Sequence, residues 1–141
     1  MHLSVAVLVC LSLAFVTQTQ GIVSNACLDC IGQIEGGGSG CNLDEGTLSC
    51  GLYQIKEPYY IDCGSPGTGW QSCAASDSCA RGCIQSYMSR YGGLCAGQLG
   101  KSTSQLTCQD YGRLHNGGPN GCSSSSTIGY AARIASECGL N

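Results

Sequence analysis

Glu35 and Asp44 stand nine positions apart, on either side of a glycine run in the segment EGGGSGCNLDEGTLSCGLYQIKEPYYIDC, residues 35–63. Two carboxyls flanking a cleft are the minimum for glycoside hydrolysis. One must be protonated, to give its proton to the leaving oxygen. The other must be ionised, to attack or to position water. Their surroundings must therefore differ. Glu35, at the end of a helix-like stretch beside apolar neighbours, suits the acid. Asp44, next to a turn where backbone N–H groups and hydroxyls can bond it, suits the anion. Two acids at this spacing are common in small proteins, so the pair admits the chemistry without establishing it. Tyr53 and Tyr59 offer aromatic walls. His115 is the only histidine after residue 21 and, with Asn116, lies where a helix meets the glycine-rich run HNGGPNGC. These four are the candidate substrate-binding residues. A lone histidine is as often a packed structural residue, and that reading stands beside the functional one.

The elements that must position these groups follow from periodicity. Ala26, Cys27, Cys30, Ile31 and Ile34 recur at helical spacing behind a Ser24 or Asn25 cap. That helix is predicted to end at about Glu35, stopped by Gly36, Gly37 and Gly38. Asp44-Glu45-Gly46 is a turn signal, and residues 47–55 read as strand with a slip beside Gly51, as a bulge would cause. Pro58 opens a short helix. Residues 64–72 read as loop, with Trp70 packed rather than ligand-facing. Residues 78–91 carry one apolar stripe, Cys79, Cys83, Ile84, Tyr87, Met88 and Tyr91, and should stop at Gly92-Gly93. A loop at 94–103, a helix from about 104 to 114 and a last helix at 127–138 complete the chain. The layout is four or so helices and a small hairpin, an α+β chain that is mostly α.

Residues 1–21 contain no Asp, Glu, Lys or Arg and begin with an apolar run. They read as a signal peptide cut after Gly21, leaving a single domain at 22–141. The run is shorter than the ~20 residues that span a bilayer, so no membrane partner is expected. Of 13 cysteines, one (Cys10) lies in the leader. The remaining twelve imply six bridges in a secreted, extracellular, disulfide-rich protein, with pairing that spacing cannot give. Cys27-Leu28-Asp29-Cys30 also has zinc-ligand spacing. No second CxxC and no paired histidine follow, so neither metal nor cofactor is expected. The net charge of −3 argues against a nucleic-acid partner.

CLDC, Glu35, residues 43–67, the CARGCIQSYMSRYG helix and HNGGPNGC together resemble the invertebrate-type lysozymes, the group that includes the leech enzyme destabilase. The likeness runs from about residue 27 to 138. It implies a lysozyme-like fold and cleavage, with retention, of the β-1,4 link between N-acetylmuramic acid and N-acetylglucosamine. Peptidoglycan and chitooligosaccharides would be the substrates, Glu35 the proton donor and Asp44 the nucleophile. Some members also cleave the isopeptide link between glutamine and lysine side chains, and Ser49, Lys56 and His115 fall on the positions proposed for that activity. Family members often carry two further cysteines, one where Gly32 stands and one where the glycine run stands. Their joint absence suggests that they pair with each other, and implies a looser loop beyond Glu35. A catalytically silent lectin or inhibitor is the competing class on such a scaffold. The presence of both acids favours the enzyme.

Overall fold

The computed structural model describes residues 21–141. The expected signal peptide, with Cys10, therefore lies outside the described residues except for Gly21. Six α-helices and one antiparallel hairpin follow in order: α1 (Asn25–Glu35), β1 (Cys41–Asp44), β2 (Thr47–Cys50), α2 (Glu57–Asp62), α3 (Trp70–Ala75), α4 (Asp77–Leu99), α5 (Cys108–Gly117) and α6 (Ile128–Cys138). Short 3₁₀ turns at Thr103–Gln105, Gly118–Ser123 and Ser125–Thr127 join the last helices. The chain is α+β and mostly helical, as its sequence implied. No helix among the described residues is long and apolar enough to cross a membrane.

The longest helix, α4, is the axis of the core. Cys83, Ile84, Tyr87 and Met88 on it are buried against Leu28 and Ile31 of α1, Tyr53, Ile55 and Leu114. Each such side chain stabilises the fold by ~1.5–3 kcal/mol through the water it leaves. The expected stop at Gly92-Gly93 does not occur. The apolar stripe continues through Cys95 and Ala96, both buried, and Cys95 is bridged to Cys122. That packing outweighs the ~1 kcal/mol each glycine costs inside a helix. The helix instead ends where Gly100 takes a left-handed φ of 64°. The 94–103 loop is thus largely helical, and Trp70 begins α3 rather than sitting in a loop. Its Nε1–H donates to the Ile55 carbonyl (2.9 Å), a packing role.

All twelve cysteines after residue 21 are bridged: Cys27–Cys108, Cys30–Cys138, Cys41–Cys50, Cys63–Cys83, Cys73–Cys79 and Cys95–Cys122. Two of these fasten α1 to α5 and to the end of α6. No group of three or more metal-ligating side chains occurs among the described residues.

Candidate active site

Glu35 is the last residue of α1. Ser24 Oγ accepts the Cys27 N–H at the other end (3.2 Å), and Gly36 closes the helix with φ 60°, its N–H donating to the Gly32 carbonyl (2.9 Å). Local sequence therefore fixes where the carboxyl leaves the helix. Asp44 ends β1. Glu45 and Gly46 both have positive φ (49° and 79°), which makes the two-residue connection whose twist suits a hairpin. Asp44 pairs with Thr47, and the Cys41–Cys50 bridge joins the opposite end of the same ladder.

The expected strand over residues 47–55 is shorter than its alternation suggested. β2 stops at Cys50, the chain turns through 51–54, and Ile55 returns to pair with Cys50. Gly51 dictates this. Its φ is 73°, and a side chain there would lie on the carbonyl of Ala74. Leu48 and Leu52 are exposed, although they alternate with Cys50, which is buried.

The two acids line one open cleft of ≈570 Å³. Ser49, Lys56, Tyr59, His115 and Asn116 line it too. The helix end supplies Glu35 on one side, the hairpin supplies Asp44 and Ser49, and the ends of α2 and α5 supply the rest. Lys56 Nζ is 3.0 Å from Asp44 Oδ2 and fixes that carboxylate's orientation. Tyr59 stacks on Tyr87 (centroids 3.6 Å, interplanar 8°) and meets the His115 ring edge-on (5.3 Å, 69°).

His115 is buried, and its hydrogen bonds fix its tautomer. Nε2 is 3.0 Å from the Tyr53 carbonyl, which can only accept, so Nε2 carries the proton. Nδ1 therefore accepts from the Tyr59 hydroxyl (3.1 Å). Burial lowers the imidazole's proton affinity, against an opposing pull from Glu35, whose Oε1 is 3.7 Å from Nε2. The ring is a neutral strut between α5, α2 and the 51–54 turn. Neither nitrogen is free to take a proton from Ser49.

Tyr53 does not belong to the cleft. Its ring is fully buried, its hydroxyl donates to Asp77 Oδ1 (3.1 Å), and the Arg81 guanidinium lies over it. Burial, with that hydrogen bond, pushes its phenol up to about 12. Alternation identified an aromatic here but not the face it would take. What Tyr53 gives the site is its carbonyl. Gln54, Asp62, Tyr87 and Pro119 also line the cleft. Only Tyr87 carried a sequence signal, as a core residue of the α4 stripe. It serves both core and cleft.

The destabilase family model matches residues 24–138. The chain belongs to the destabilase family. A lysozyme of Meretrix lusoria is 50% identical over 123 residues, covering 86% of this chain and 95% of that protein. An invertebrate-type lysozyme of Ruditapes philippinarum is 47% identical over 113 residues, 78% of each chain. The crystal structure of Meretrix lusoria lysozyme in complex with Aeromonas hydrophila PliI superposes with a TM-score of 0.75 at 47% identity, over 88% of this chain and all of that one. The fold is thus lysozyme-like, and this chain is an enzyme of the lysozyme class, a glycoside hydrolase.

Proposed function

We propose that this cleft hydrolyses the β-1,4 link between N-acetylmuramic acid and N-acetylglucosamine in bacterial peptidoglycan, outside the cell, by double displacement. The observation that carries the assignment of roles is the unequal setting of the two acids on one cleft. The Glu35 side chain is 19% exposed, beside neutral His115. That of Asp44 is 56% exposed and paired with Lys56. The drier carboxyl suits the proton donor and the hydrated, ion-paired one the nucleophile. The scheme is that of another lysozyme type, carried over by chemical analogy.

In the first step the Glu35 proton passes to the glycosidic oxygen as the C1–O bond breaks, and an Asp44 oxygen bonds C1. In the second, Glu35 takes a proton from water, whose oxygen displaces Asp44 from C1. Two inversions leave the anomeric configuration unchanged. Lys56 gives up part of its hold on Asp44 as the ester forms, and recovers it when the carboxylate is released. The six bridges fit an oxidising, extracellular setting. Chitooligosaccharides, which offer the same linkage without the peptide, are the expected soluble substrates.

The test is lysis of a cell-wall suspension. Glu35→Gln keeps the shape and removes the transferable proton, and should cost ~10³-fold or more in rate. Wild-type-like lysis by that variant sinks the assignment, and binding without lysis by the native chain would point to a lectin.

A second reading rests on Ser49. The residue is 1% exposed and lines the cleft, and its buried hydroxyl has no hydrogen-bond partner among the described residues. With Lys56 as base it could attack a glutamine–lysine isopeptide. Lys56 is held by Asp44 and His115 by its two partners, so the serine would have to draw the lysine away from the nucleophile. Ser49→Ala should then abolish isopeptide cleavage and leave cell-wall lysis intact. Unchanged isopeptide cleavage by that variant rejects the role.

A further inference from the structure

Tyr130, on α6, has a side chain that the scheme above does not use. It is 8% exposed, and its hydroxyl is buried with no hydrogen-bond partner among the described residues. Its ring packs with Cys30, Ile34 and Ile134, in a small cluster apart from the main core. Ile34 directly precedes Glu35, and the Cys30–Cys138 bridge ties α6 to the same helix. Tyr130 does not line the cleft, so the phenol approaches Glu35 from the protein side and not from the substrate side. Burial, then the charge of the Glu35 carboxylate and a contact with it that falls short of a well-formed hydrogen bond, push the phenol well above its ordinary range. Tyr130 therefore keeps its own proton throughout and is only ever a donor or a neutral acceptor.

A buried hydroxyl without a partner is costly and uncommon, and asks for an explanation. The catalytic cycle supplies one. Glu35 is neutral in one half and an anion in the other. As an anion it needs a donor that brings no charge of its own. His115 is the near neutral neighbour, but its Nε2–H is spent on the Tyr53 carbonyl (3.0 Å) and stands 3.7 Å from the carboxyl. The Tyr130 phenol lies beside the same carboxyl, near enough for Glu35 to act on it both as a charge and as an acceptor. We propose that Tyr130 is a positioning residue for the proton donor, hydrogen-bonding the Glu35 carboxylate through the half of the cycle in which Glu35 is ionised. The proposal rests on the reading of Glu35 as donor. It adds that α6, far from the cleft in sequence, sets how readily that proton leaves.

Other groups also face Glu35. His115 of α5 and Tyr59 of α2 are both held neutral by burial. Arg133, one turn along α6, is exposed and paired with Glu137 (2.7 Å). Asp44, Glu45 and Lys56 line the cleft from the hairpin side. A charged neighbour acts through a field that salt weakens, whereas a buried hydrogen bond is hardly screened.

The experiment is to titrate the Glu35 carboxyl carbon by NMR in the wild-type chain and in Tyr130→Phe, beside kcat/KM against pH on a soluble chitooligosaccharide. Losing one charge-assisted hydrogen bond should raise the Glu35 midpoint, and with it the alkaline limb, by about one pH unit, or tenfold in proton affinity. That shift should persist at about 0.5 M salt, whereas any shift caused by Arg133→Gln should fade there. A midpoint in Tyr130→Phe within about 0.2 units of wild type overturns the proposal, whatever the fall in kcat or in thermal stability. Should Tyr130→Phe fail to fold, 3-fluorotyrosine at position 130 keeps the size and makes a stronger donor. It should lower the midpoint, and an unmoved midpoint again overturns the role. Glu35→Gln separates the two levels. Lysis that survives it removes the donor reading and this proposal with it. Lysis lost there, with no shift in Tyr130→Phe, removes the Tyr130 role alone.

Discussion

Replacing Gly51 with alanine would put a methyl group on the carbonyl oxygen of Ala74, far inside van der Waals contact. Two costs add. The residue sits at φ 73°, where a Cβ costs ~1–2 kcal/mol. The overlap is with backbone, so it can be relieved only by moving the 51–54 turn or the end of α3, at ~1–3 kcal/mol for an overpacked site. Gly51→Ala should therefore destabilise by ~2–5 kcal/mol, a large part of a typical total of ~5–15 kcal/mol. Gly46→Ala is the control. Its φ is 79°, but nothing lies within 4 Å of the added Cβ, so it should show the backbone cost alone. Denaturant unfolding with the bridges intact measures both. The difference, ~1–3 kcal/mol, is the packing of the turn against Ala74. Activity should follow, because the same turn carries the Tyr53 carbonyl that holds His115. Folded Gly51→Ala should lose lytic rate beyond its loss of folded fraction. Equal destabilisation by the two variants would refute the reasoning.

Burial lowers the folded-state affinity of His115 for protons below that of a free imidazole, near 6.5. As pH falls below that value the unfolded chain takes a proton that the native ring refuses, so stability declines with falling pH. In His115→Gln that part of the slope between neutral and mildly acidic pH should vanish in unfolding measurements. Opening Cys30–Cys138, which spans 108 residues, should cost ~5 kcal/mol on the chain-entropy account, about twice the ~2 kcal/mol for Cys73–Cys79, which spans 6. Paired Cys→Ala variants in thermal unfolding check the order. NMR of fresh product should show the β-anomer first, and an initial α-anomer would remove Asp44 as nucleophile. The net charge of −3 predicts that added salt first raises whole-cell lysis at neutral pH, by screening repulsion, and leaves chitooligosaccharide cleavage nearly unchanged.

Legibility in the sequence followed the range of the forces. The limits of α1 were readable because both ends are set locally, by the Ser24 cap and by Gly36. The extension of α4 past Gly92-Gly93 was not, because it depends on Cys95 and Ala96 finding partners elsewhere in the fold. The pairing of the cysteines was closed to spacing arguments for the same reason. Glu35, Asp44, Tyr59, His115 and Asn116 come together on the cleft. The sequence could name Tyr53 but not its direction, since a fully buried ring and a cleft wall show the same alternation. Tyr130 gave no signal, because its only distinction is an unpartnered hydroxyl beside a carboxyl from the other end of the chain.

The absence of two family cysteines implied a loop beyond Glu35 with less to restrain it. The backbone shows another fastening. Gly37 N–H donates to the Leu52 carbonyl (3.2 Å) and Gly51 N–H to the Gly40 carbonyl (2.9 Å). Gln54 Nε2 closes the turn on the Gly51 carbonyl (2.8 Å). A side chain at Gly37 would strike that same Gly51 carbonyl, just as one at Gly51 would strike Ala74. At position 32, a Cβ would stand 3.1 Å from both Leu52 and Tyr53, so the helix surface itself bears on the turn. Glycine at 37 and 51 thus lets backbone segments close directly, and hydrogen bonds hold what a bridge would otherwise hold. At Gly32 a larger side chain would require the Leu52 and Tyr53 side chains to give way by a few tenths of an ångström. The glycine run is therefore better understood as the fastening of Glu35 to the hairpin than as slack beside it. On this account Gly37→Ala should loosen the donor's loop, seen as faster amide exchange at Gly37 and Gly51, before it unfolds the protein. Unchanged exchange in that variant would return the loop to the looser picture.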